Sequence, residues 1–358
     1  MEQFQNALEM LDLMPQPAFC VRSGEIIKAN PAAAAFLVET GTPIQTLLHT
    51  GAEEYAEFSG GCLHLTLLIG TQTIGASVSR IQDLDIFCME SEADIRLQAM
   101  ALAAGELREP LGNIMAIADR LFPETARADA EKQEQISLIN RSLYQMLRLV
   151  SNMSDAGRYA ADTGARQEIR DICAVLKEVF SRAADLTAQA AISLHYTGCD
   201  ERIYTLMDVQ KVERMVFNIL SNAIKFTPAG GCIDAKLTRR DRKLYLSISD
   251  SGSGIADSLK GTLFSRYLRQ PALEDSRHGV GLGMVLIRST AALHGGTVLI
   301  DQPEGTGTRI TVSFSIRSGN ATLRSPGFRI DYAGERDHGL IELSDVLPAH
   351  LYDPNAVK

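Results

Sequence analysis

The sequence of 358 residues lacks the features that mark a membrane or secreted protein. Its longest apolar runs, such as 63–69, are far shorter than the roughly 18 residues that a membrane-spanning helix needs. The N-terminus has neither the basic region nor the apolar region of a signal peptide. We therefore expect no membrane span, and we expect a cytoplasmic protein.

Cysteine motifs and basic runs are also missing. The six cysteines are scattered without a Cys-x-x-Cys pair, so we expect neither a zinc site nor a disulfide framework. The net charge of −9 and the lack of a basic run argue against nucleic acid as a partner. The hydrophobic fraction of 45% is enough, over this length, for two or three domains with their own cores.

Residues 1–90 are predicted to form a small α+β domain. Runs with the composition of strands lie at 19–21, 62–70, 74–79 and 85–89. An alanine-rich helix is expected at 32–37. The pattern Gly-x-Ile-x-x-x-Asn-x-Ala, from Gly24 to Ala32, resembles the opening of a PAS sensor domain. A generic mixed domain is the alternative interpretation.

Residues 91–160 carry apolar residues four and three apart, in two stretches separated by a polar turn near 123–129. The repeats are Met100, Ala104, Leu107, Leu111, Ile114, Ala118 and Leu121, then Ile136, Ile139, Leu143, Met146, Val150 and Met153. A lone hairpin cannot bury such narrow seams, whereas a homodimer that forms a four-helix bundle can. Packing of the hairpin on a neighbouring domain is the alternative.

Residues 165–317 alternate between helix and strand patterns. Helices are predicted at 172–186, 209–226 and after 283, and strands at 191–196, 202–206, 232–238, 243–249, 297–300 and 309–315. Four motifs follow one another here: Asn218-Ile-Leu-Ser-Asn222-Ala-Ile-Lys225, Asp250-Ser-Gly252-Ser-Gly254, Gly279-Val-Gly281-Leu-Gly283 and Gly305-Thr-Gly-Thr308. Residues 318–358 form a tail, whose apolar fragments at 328–332 and 340–347 predict partial ordering against the preceding domain.

In this order the motifs resemble the N, G1, G2 and G3 boxes of the GHKL ATPases, most closely the catalytic domain of bacterial histidine kinases. Residues 105–111, Gly-Glu-Leu-Arg-Glu-Pro-Leu, resemble the H box of those kinases. The resemblance implies a multidomain α+β protein. Its parts would be the PAS-like domain (1–90), the dimerising hairpin (91–160), a Bergerat-type α/β sandwich that binds ATP (165–317) and the tail (318–358).

The resemblance also implies a site for ATP and Mg²⁺. Asn222 would coordinate the metal with support from Asn218, Lys225 would reach the phosphates, and Asp250 would accept a hydrogen bond from the adenine amino group. The remaining residues of this predicted site are Gly252, Gly254, Phe264, Arg266, Gly279, Gly281, Gly283 and Thr308. Two asparagines one turn apart share a helix face, and asparagine is a poor interior helix former, which favours a function for the pair. His278 and His294 are discounted as catalytic groups.

The phosphoacceptor histidine of the H box is replaced by Gly105. Glycine has no nucleophile, and no histidine lies between His64 and His195, so we expect no autophosphorylation on this hairpin. Glu106 remains at the position of a general base. Two functions stay open. One is a pseudokinase that binds Mg-ATP and serves as a sensor scaffold, and the other is an active kinase that phosphorylates a partner's histidine in trans. A response regulator or an intact histidine kinase is the expected partner.

Overall fold

The structure is a computed structural model. It describes residues 11–12, 14, 16–36, 38–81, 83–90, 107, 111, 114, 130–160, 167–199, 201–254, 283–303, 307–317 and 336–353, with side chains in the long helix described from 133 to 155. None of the helices in these ranges combines the length and the hydropathy that crossing a bilayer requires.

The N-terminal unit is an antiparallel sheet with short helical connections. Its strands are β1 (Ala18–Arg22), β2 (Glu25–Ala29), β3 (Leu48–Thr50), β4 (Cys62–Ile69), β5 (Gln72–Ile81) and β6 (Leu84–Met89). The connections contain α1 (Pro31–Ala34), a 3-10 turn (Ile44–Thr46) and α2 (Ala52–Ala56). The strand order is β2-β1-β6-β5-β4, with β3 beside β4. The four predicted strands are confirmed, whereas the predicted helix at 32–37 is shorter.

The asparagine of the PAS-like sequence pattern has a structural role in this unit. Asn30 is fully buried and caps α1. Its Oδ1 accepts hydrogen bonds from the backbone N–H groups of Ala18 (3.0 Å) and Ala33 (2.8 Å). Its Nδ2 donates to the carbonyl oxygens of Met14 (3.1 Å) and Gln16 (2.7 Å). An asparagine here satisfies buried backbone groups that an apolar residue would leave unpaired. The assignment of the unit to the PAS family stays a prediction.

The second helix of the predicted hairpin is a single helix, α3 (Ala130–Ala160). Of the first helix the structure describes three positions, 107, 111 and 114, all of them helical. Leu111 and Leu143 are buried within this one chain, in the same core as the following domain. The heptad residues Ile139 and Met146 are instead 42% and 47% exposed. The residues of the predicted seam therefore lie in two environments, some in the core of this chain and others on its surface.

The following domain is a sheet covered by helices on one face. Its elements are β7 (Glu168–Asp171), α4 (Ile172–Gln189), β8 (Ser193–Thr197), β9 (Tyr204–Met207), α5 (Val209–Phe226), β10 (Cys232–Arg240), β11 (Lys243–Asp250), α6 (Gly283–Leu293), β12 (Val298–Asp301) and β13 (Arg309–Ser315). The strand order is β12-β13-β11-β10-β8, and β7 pairs separately with β9. Strand β10 shows the basis of this layering, because Ile233, Ala235 and Leu237 are buried while the residues between them are exposed.

The two sheets join edge to edge. Strand β4 pairs antiparallel with β12, so that His64, Leu63 and Cys62 lie opposite Val298, Leu299 and Ile300. Lys243 adds an ion pair to Glu54 (2.9 Å), and Arg288 of α6 reaches Glu90 (2.5 Å). Within the described residues, eleven strands thus belong to one sheet. The sequence does not predict this junction.

Residues 336–353 of the C-terminal tail pack on the preceding domain, and we call them the C-terminal latch. It contains α7 (His338–Glu342) and a 3-10 turn (Ala349–Tyr352). Its side chains Ile341, Leu343 and Leu347 have no exposed surface and join the core of the preceding domain. The ring of Tyr352 packs edge-on against Tyr144 of α3 at 5.3 Å. The predicted ordering of 340–347 is therefore confirmed, and the fragment at 328–332 lies outside the described residues.

A buried charge cluster lies where α3, α5 and the latch meet. Glu342 of the latch has no exposed surface. Its Oε1 lies 2.8 Å from Nε of Arg214 on α5, and its Oε2 lies 3.5 Å from Nε of Arg148 on α3. Arg214 also pairs with Asp155 of α3, and Arg148 pairs with Asp345 of the latch at 2.6 Å. Removing one member of such a group leaves buried charge without compensation.

We predict that Glu342→Ala lowers the free energy of unfolding by about 3–5 kcal/mol, because two buried guanidinium groups lose their shared carboxylate. The matched control is Glu201→Ala, whose partner Arg239 is a surface residue, with side chains 55% and 44% exposed. That substitution should cost about 0–1 kcal/mol. Urea denaturation followed by circular dichroism measures the free energy of unfolding of both variants. Equal losses would contradict the assignment of Glu342 to a buried charge cluster.

Candidate functional site

The N-box motif lies on α5, whose start is fixed by a side-chain cap. Asp208 accepts a hydrogen bond from the backbone N–H of Lys211 (3.2 Å), as an N-cap aspartate does. Asn218 and Asn222 follow one turn apart. Asn218 is 2% exposed and donates through Nδ2 to the carbonyl oxygen of Arg214 (2.8 Å). Its side chain is therefore held in place inside the domain.

The N box lies against the start of α6, where the predicted G2 box ends. A Cβ at Gly283 would lie 3.0 Å from Oδ1 of Asn218, so a larger residue there would crowd the amide. Asn222 is partly exposed, and its Nδ2 lies 3.9 Å from Sδ of Met284. The ammonium group of Lys225, one further turn along, lies 5.4 Å from the centre of the Phe226 ring. The two asparagines thus differ in environment, with Asn218 enclosed and Asn222 accessible.

The G1 motif begins where β11 ends, at Asp250. Oδ1 of Asp250 accepts from the backbone N–H groups of Gly252 (2.9 Å) and Thr308 (3.2 Å). Burial raises the pKa of this carboxyl, and the two hydrogen bonds oppose that shift. Both of these hydrogen bonds are made by Oδ1 of Asp250.

Glycines allow the G1 and G3 turns to approach each other. A Cβ at Gly252 would overlap the carbonyl oxygen of Phe226, at the end of the N-box helix. Gly307 has φ +105°, and a Cβ there would overlap the carbonyl oxygen of Asp250. The backbone N–H of Asp250 in turn donates to the carbonyl oxygen of Thr308 (2.9 Å). Only glycine fits at these two crossings.

The structure therefore joins parts of all four motifs. The N box meets G1 at Phe226 and Gly252, G1 meets G3 at Asp250 and Thr308, and the N box meets the end of G2 at Asn218 and Gly283. Six residues of the predicted site lie outside the described residues: Gly105, Glu106, Phe264, Arg266, Gly279 and Gly281. Their roles stay predictions.

His294 is a structural residue at the end of α6. Its Nε2 accepts a hydrogen bond from the backbone N–H of Asp208 (3.0 Å), so Nδ1 carries the proton and donates to the carbonyl oxygen of Thr290 (2.7 Å). Burial lowers the pKa of this imidazole, which keeps it neutral. Both ring nitrogens are engaged with backbone, so His294 has no nitrogen left for proton transfer. His278 lies outside the described residues.

One residue at the N box was not predicted from the sequence. Nη2 of Arg148, on α3, lies 3.2 Å from Oγ of Ser221 and 3.5 Å from Oδ1 of Asn218. Arg148 is 9% exposed. Its neighbours along the chain, Leu147 and Leu149, are apolar, and no sequence motif includes Arg148.

Comparisons with known proteins agree with this geometry. Residues 207–318 match the family model of the histidine kinase-, DNA gyrase B- and HSP90-like ATPases. The matched range includes the N box, Asp250 and Thr308. Residues 207–318 thus carry an ATPase domain of this GHKL type, as the four motifs predict.

Named relatives are histidine kinases. The sensor-like histidine kinase R01002 of Rhizobium meliloti is 29% identical over 281 residues, which cover 72% of this chain and 52% of that protein. The histidine protein kinase DivJ of Caulobacter vibrioides is 30% identical over 62% of this chain, and only 39% of DivJ is covered. The chain thus spans about half the length of these relatives or less.

A solved structure shows the same fold. Full-length ShkA, crystallised in complex with AMPPNP, gives a TM-score of 0.51 at 21% identity, over 62% of this chain and 46% of ShkA. At that identity the likeness concerns the fold alone.

We predict that Asp250→Asn weakens binding of a fluorescent ATP analogue by about 10- to 100-fold, because the carboxylate predicted to accept from the adenine amino group is replaced by an amide. Asn222→Ala should weaken binding in the presence of Mg²⁺. Asp234→Asn is the matched control, because this aspartate lies on the neighbouring strand β10 with a side chain that is 69% exposed. Fluorescence titration measures all three, and equal affinities for the wild type and both site variants would refute the site.

Proposed function

We propose that this chain is a histidine-kinase-like signalling protein that binds Mg-ATP and does not phosphorylate its own hairpin. The observation that carries the proposal is a contrast within one chain. The nucleotide motifs converge around Asp250, Asn218 and Asn222, whereas the H-box position is Gly105. In this proposal the protein is a pseudokinase whose nucleotide state sets the arrangement that a partner recognises.

The described residues fit a nucleotide with its magnesium ion. Oδ2 of Asp250 would accept a hydrogen bond from the adenine amino group. The adjacent turns contain Gly252 and Gly307, where a side chain would overlap neighbouring backbone. Magnesium keeps several waters and takes few protein oxygens in phosphate sites, so a single accessible amide such as that of Asn222 is a suitable protein ligand. The bound nucleotide would supply a transferable phosphoryl group. These side chains would bind and orient the nucleotide.

We further propose that the protein is a homodimer through residues 91–160. The support comes from apolar side chains that this chain leaves between 37% and 51% exposed on the hairpin: Leu107, Ile114, Leu138, Ile139, Met146 and Leu149. Those of α3 recur at intervals that place them on one helix face. A second copy that applies the same face would bury this stripe and complete a four-helix bundle.

For the dimer, we predict that the double substitution Leu138→Glu and Met146→Glu produces a monomer. The two carboxylates would lie in the proposed interface and would be desolvated there. Leu111 and Leu143 are unsuitable positions, because both are already buried within the protomer. Ile81→Glu is the control, since Ile81 is equally exposed at 49% but lies on the N-terminal sheet. Light scattering decides, and a monomeric wild type would end the proposal.

The second candidate function is an active kinase that phosphorylates a histidine on another protein. The preserved nucleotide motifs favour it, because transfer in trans needs no acceptor at position 105. A response regulator or an intact histidine kinase is the proposed partner in both cases. The two candidates differ in whether the ATP-binding domain can transfer phosphate at all.

We predict that the wild type incubated with labelled ATP gains no acid-labile phosphate, because Gly105 offers no imidazole. Gly105→His restores one, and a catalytically competent domain should then label it. Adding Asn222→Ala should remove that label. A labelled Gly105→His protein supports transfer in trans. Glu109 stands where the resembled H box has threonine. A Gly105→His protein that binds ATP and stays unlabelled, also with Glu109→Thr added, supports the scaffold. Acid-labile phosphate on the wild type would contradict the pseudokinase proposal.

A further inference from the structure

The C-terminal latch covers a helix face that the ATP-binding domain alone would expose. The latch lies beyond the matched residues 207–318. In a two-layer domain, the helices have one face on the sheet and the other in water. Here four polar residues of α5 are at most 6% exposed: Glu213, Arg214, Asn218 and Ser221. They are covered by α3 and by the latch. Arg148 of α3 contacts Asn218 and Ser221, whereas Glu342 and His338 of the latch contact Arg214 and Glu213.

The latch is bound to α3 along much of that helix. Asn140 donates to the carbonyl oxygen of Tyr352 (3.0 Å), and Arg141 donates to those of Ser344 (3.0 Å) and Asp345 (3.2 Å). On the other side, Asp337 pairs with Arg182 of α4 at 3.2 Å. These contacts fix α3 against the ATP-binding domain.

Arg148 links the latch to the N box. One end of its guanidinium group is held by Asp345 (2.6 Å), while Nη2 faces Ser221 and Asn218. The guanidinium is planar and presents several donors in fixed directions, so holding one edge sets the direction of the other. Asn218 is thereby constrained at Oδ1 by Arg148 and at Nδ2 by the carbonyl oxygen of Arg214.

We propose that Arg148, held by the C-terminal latch, is a positioning residue for the Mg²⁺ and phosphate side of the nucleotide site. The inference rests on the proposed function. Arg148 acts on Asn218 and Ser221, which lie one turn or less from Asn222 on the same helix. Asp250, which serves the base, makes its described hydrogen bonds to Gly252 and Thr308. The latch therefore acts on the phosphate side and leaves recognition of the base unchanged.

The test measures the affinity of fluorescent ADP for the full chain, once with Mg²⁺ and once with EDTA. The ratio of the two dissociation constants is the gain in affinity that the metal supplies. In Arg148→Gln and in Asp345→Asn this gain should fall by about five- to tenfold, within the usual range of coupling between sites. The affinity in EDTA should stay at the wild-type value. Arg148→Lys keeps the positive charge but loses the planar set of guanidinium donors, so it should retain part of the gain in affinity that Mg²⁺ supplies.

The control is Arg239→Gln, which removes an exposed arginine from an ion pair with Glu201 and should leave both affinities unchanged. Thermal unfolding confirms that each variant is folded. If Arg148→Gln does not fold, Asp345→Asn decides, since the Asp345 side chain is 30% exposed at the rim of the cluster.

The outcomes separate this proposal from the proposed function. A wild type that binds ADP in neither condition refutes the nucleotide site itself. A wild type that binds ADP equally with and without Mg²⁺ overturns the positioning role and leaves the base site standing. Variants that keep the full gain also overturn it. Variants that lose affinity equally in both conditions show a general structural role, which overturns it as well.

Discussion

The burial of helix α5 on both of its faces is the constraint on which the rest of the structure depends. Its inner residues, such as Met215 and Leu220, pack in the core against the sheet. Its outer polar residues cannot remain buried without partners, because desolvated charges and amides are costly unless they are paired. The latch and α3 supply those partners through Glu342, Asp345 and Arg148. The placement of α3 therefore depends on the C-terminal end of the chain.

This arrangement connects the nucleotide site to parts of the chain that lie far away in sequence. The N box touches the start of α6 at Gly283, and α6 touches the N-terminal unit through Arg288 and Glu90. From the other side the N box touches α3 through Arg148. A change in the position of either neighbour has a direct physical contact through which it reaches Asn218. Chains of packed side chains and ion pairs of this kind carry coupling between sites.

The sequence predicted what local chemistry determines. Helix α5 begins and ends where the sequence predicts, at 209 and 226, and its ends depend on local chemistry, since Asp208 caps its start and Pro228 follows its last residues. Strands β11 and β13 lie where the sequence predicts strands, at 243–249 and 309–315. The sequence could not predict the pairing of β4 with β12, because edge strands join through backbone groups that every residue carries. It could not predict the partners of Arg148 either, since they are separated from it by about 70 and 200 positions.

The junction of β4 with β12 has a further consequence for the solubility of partial chains. An unpaired edge strand presents a row of free N–H and C=O groups that can pair with another molecule. In the whole chain, β4 occupies that edge of the ATP-binding domain. A fragment cut to the nucleotide-binding region would expose β12, with the apolar side chains of Val298, Leu299 and Ile300 along it. The N-terminal unit therefore acts as a cover for a surface that would otherwise promote self-association.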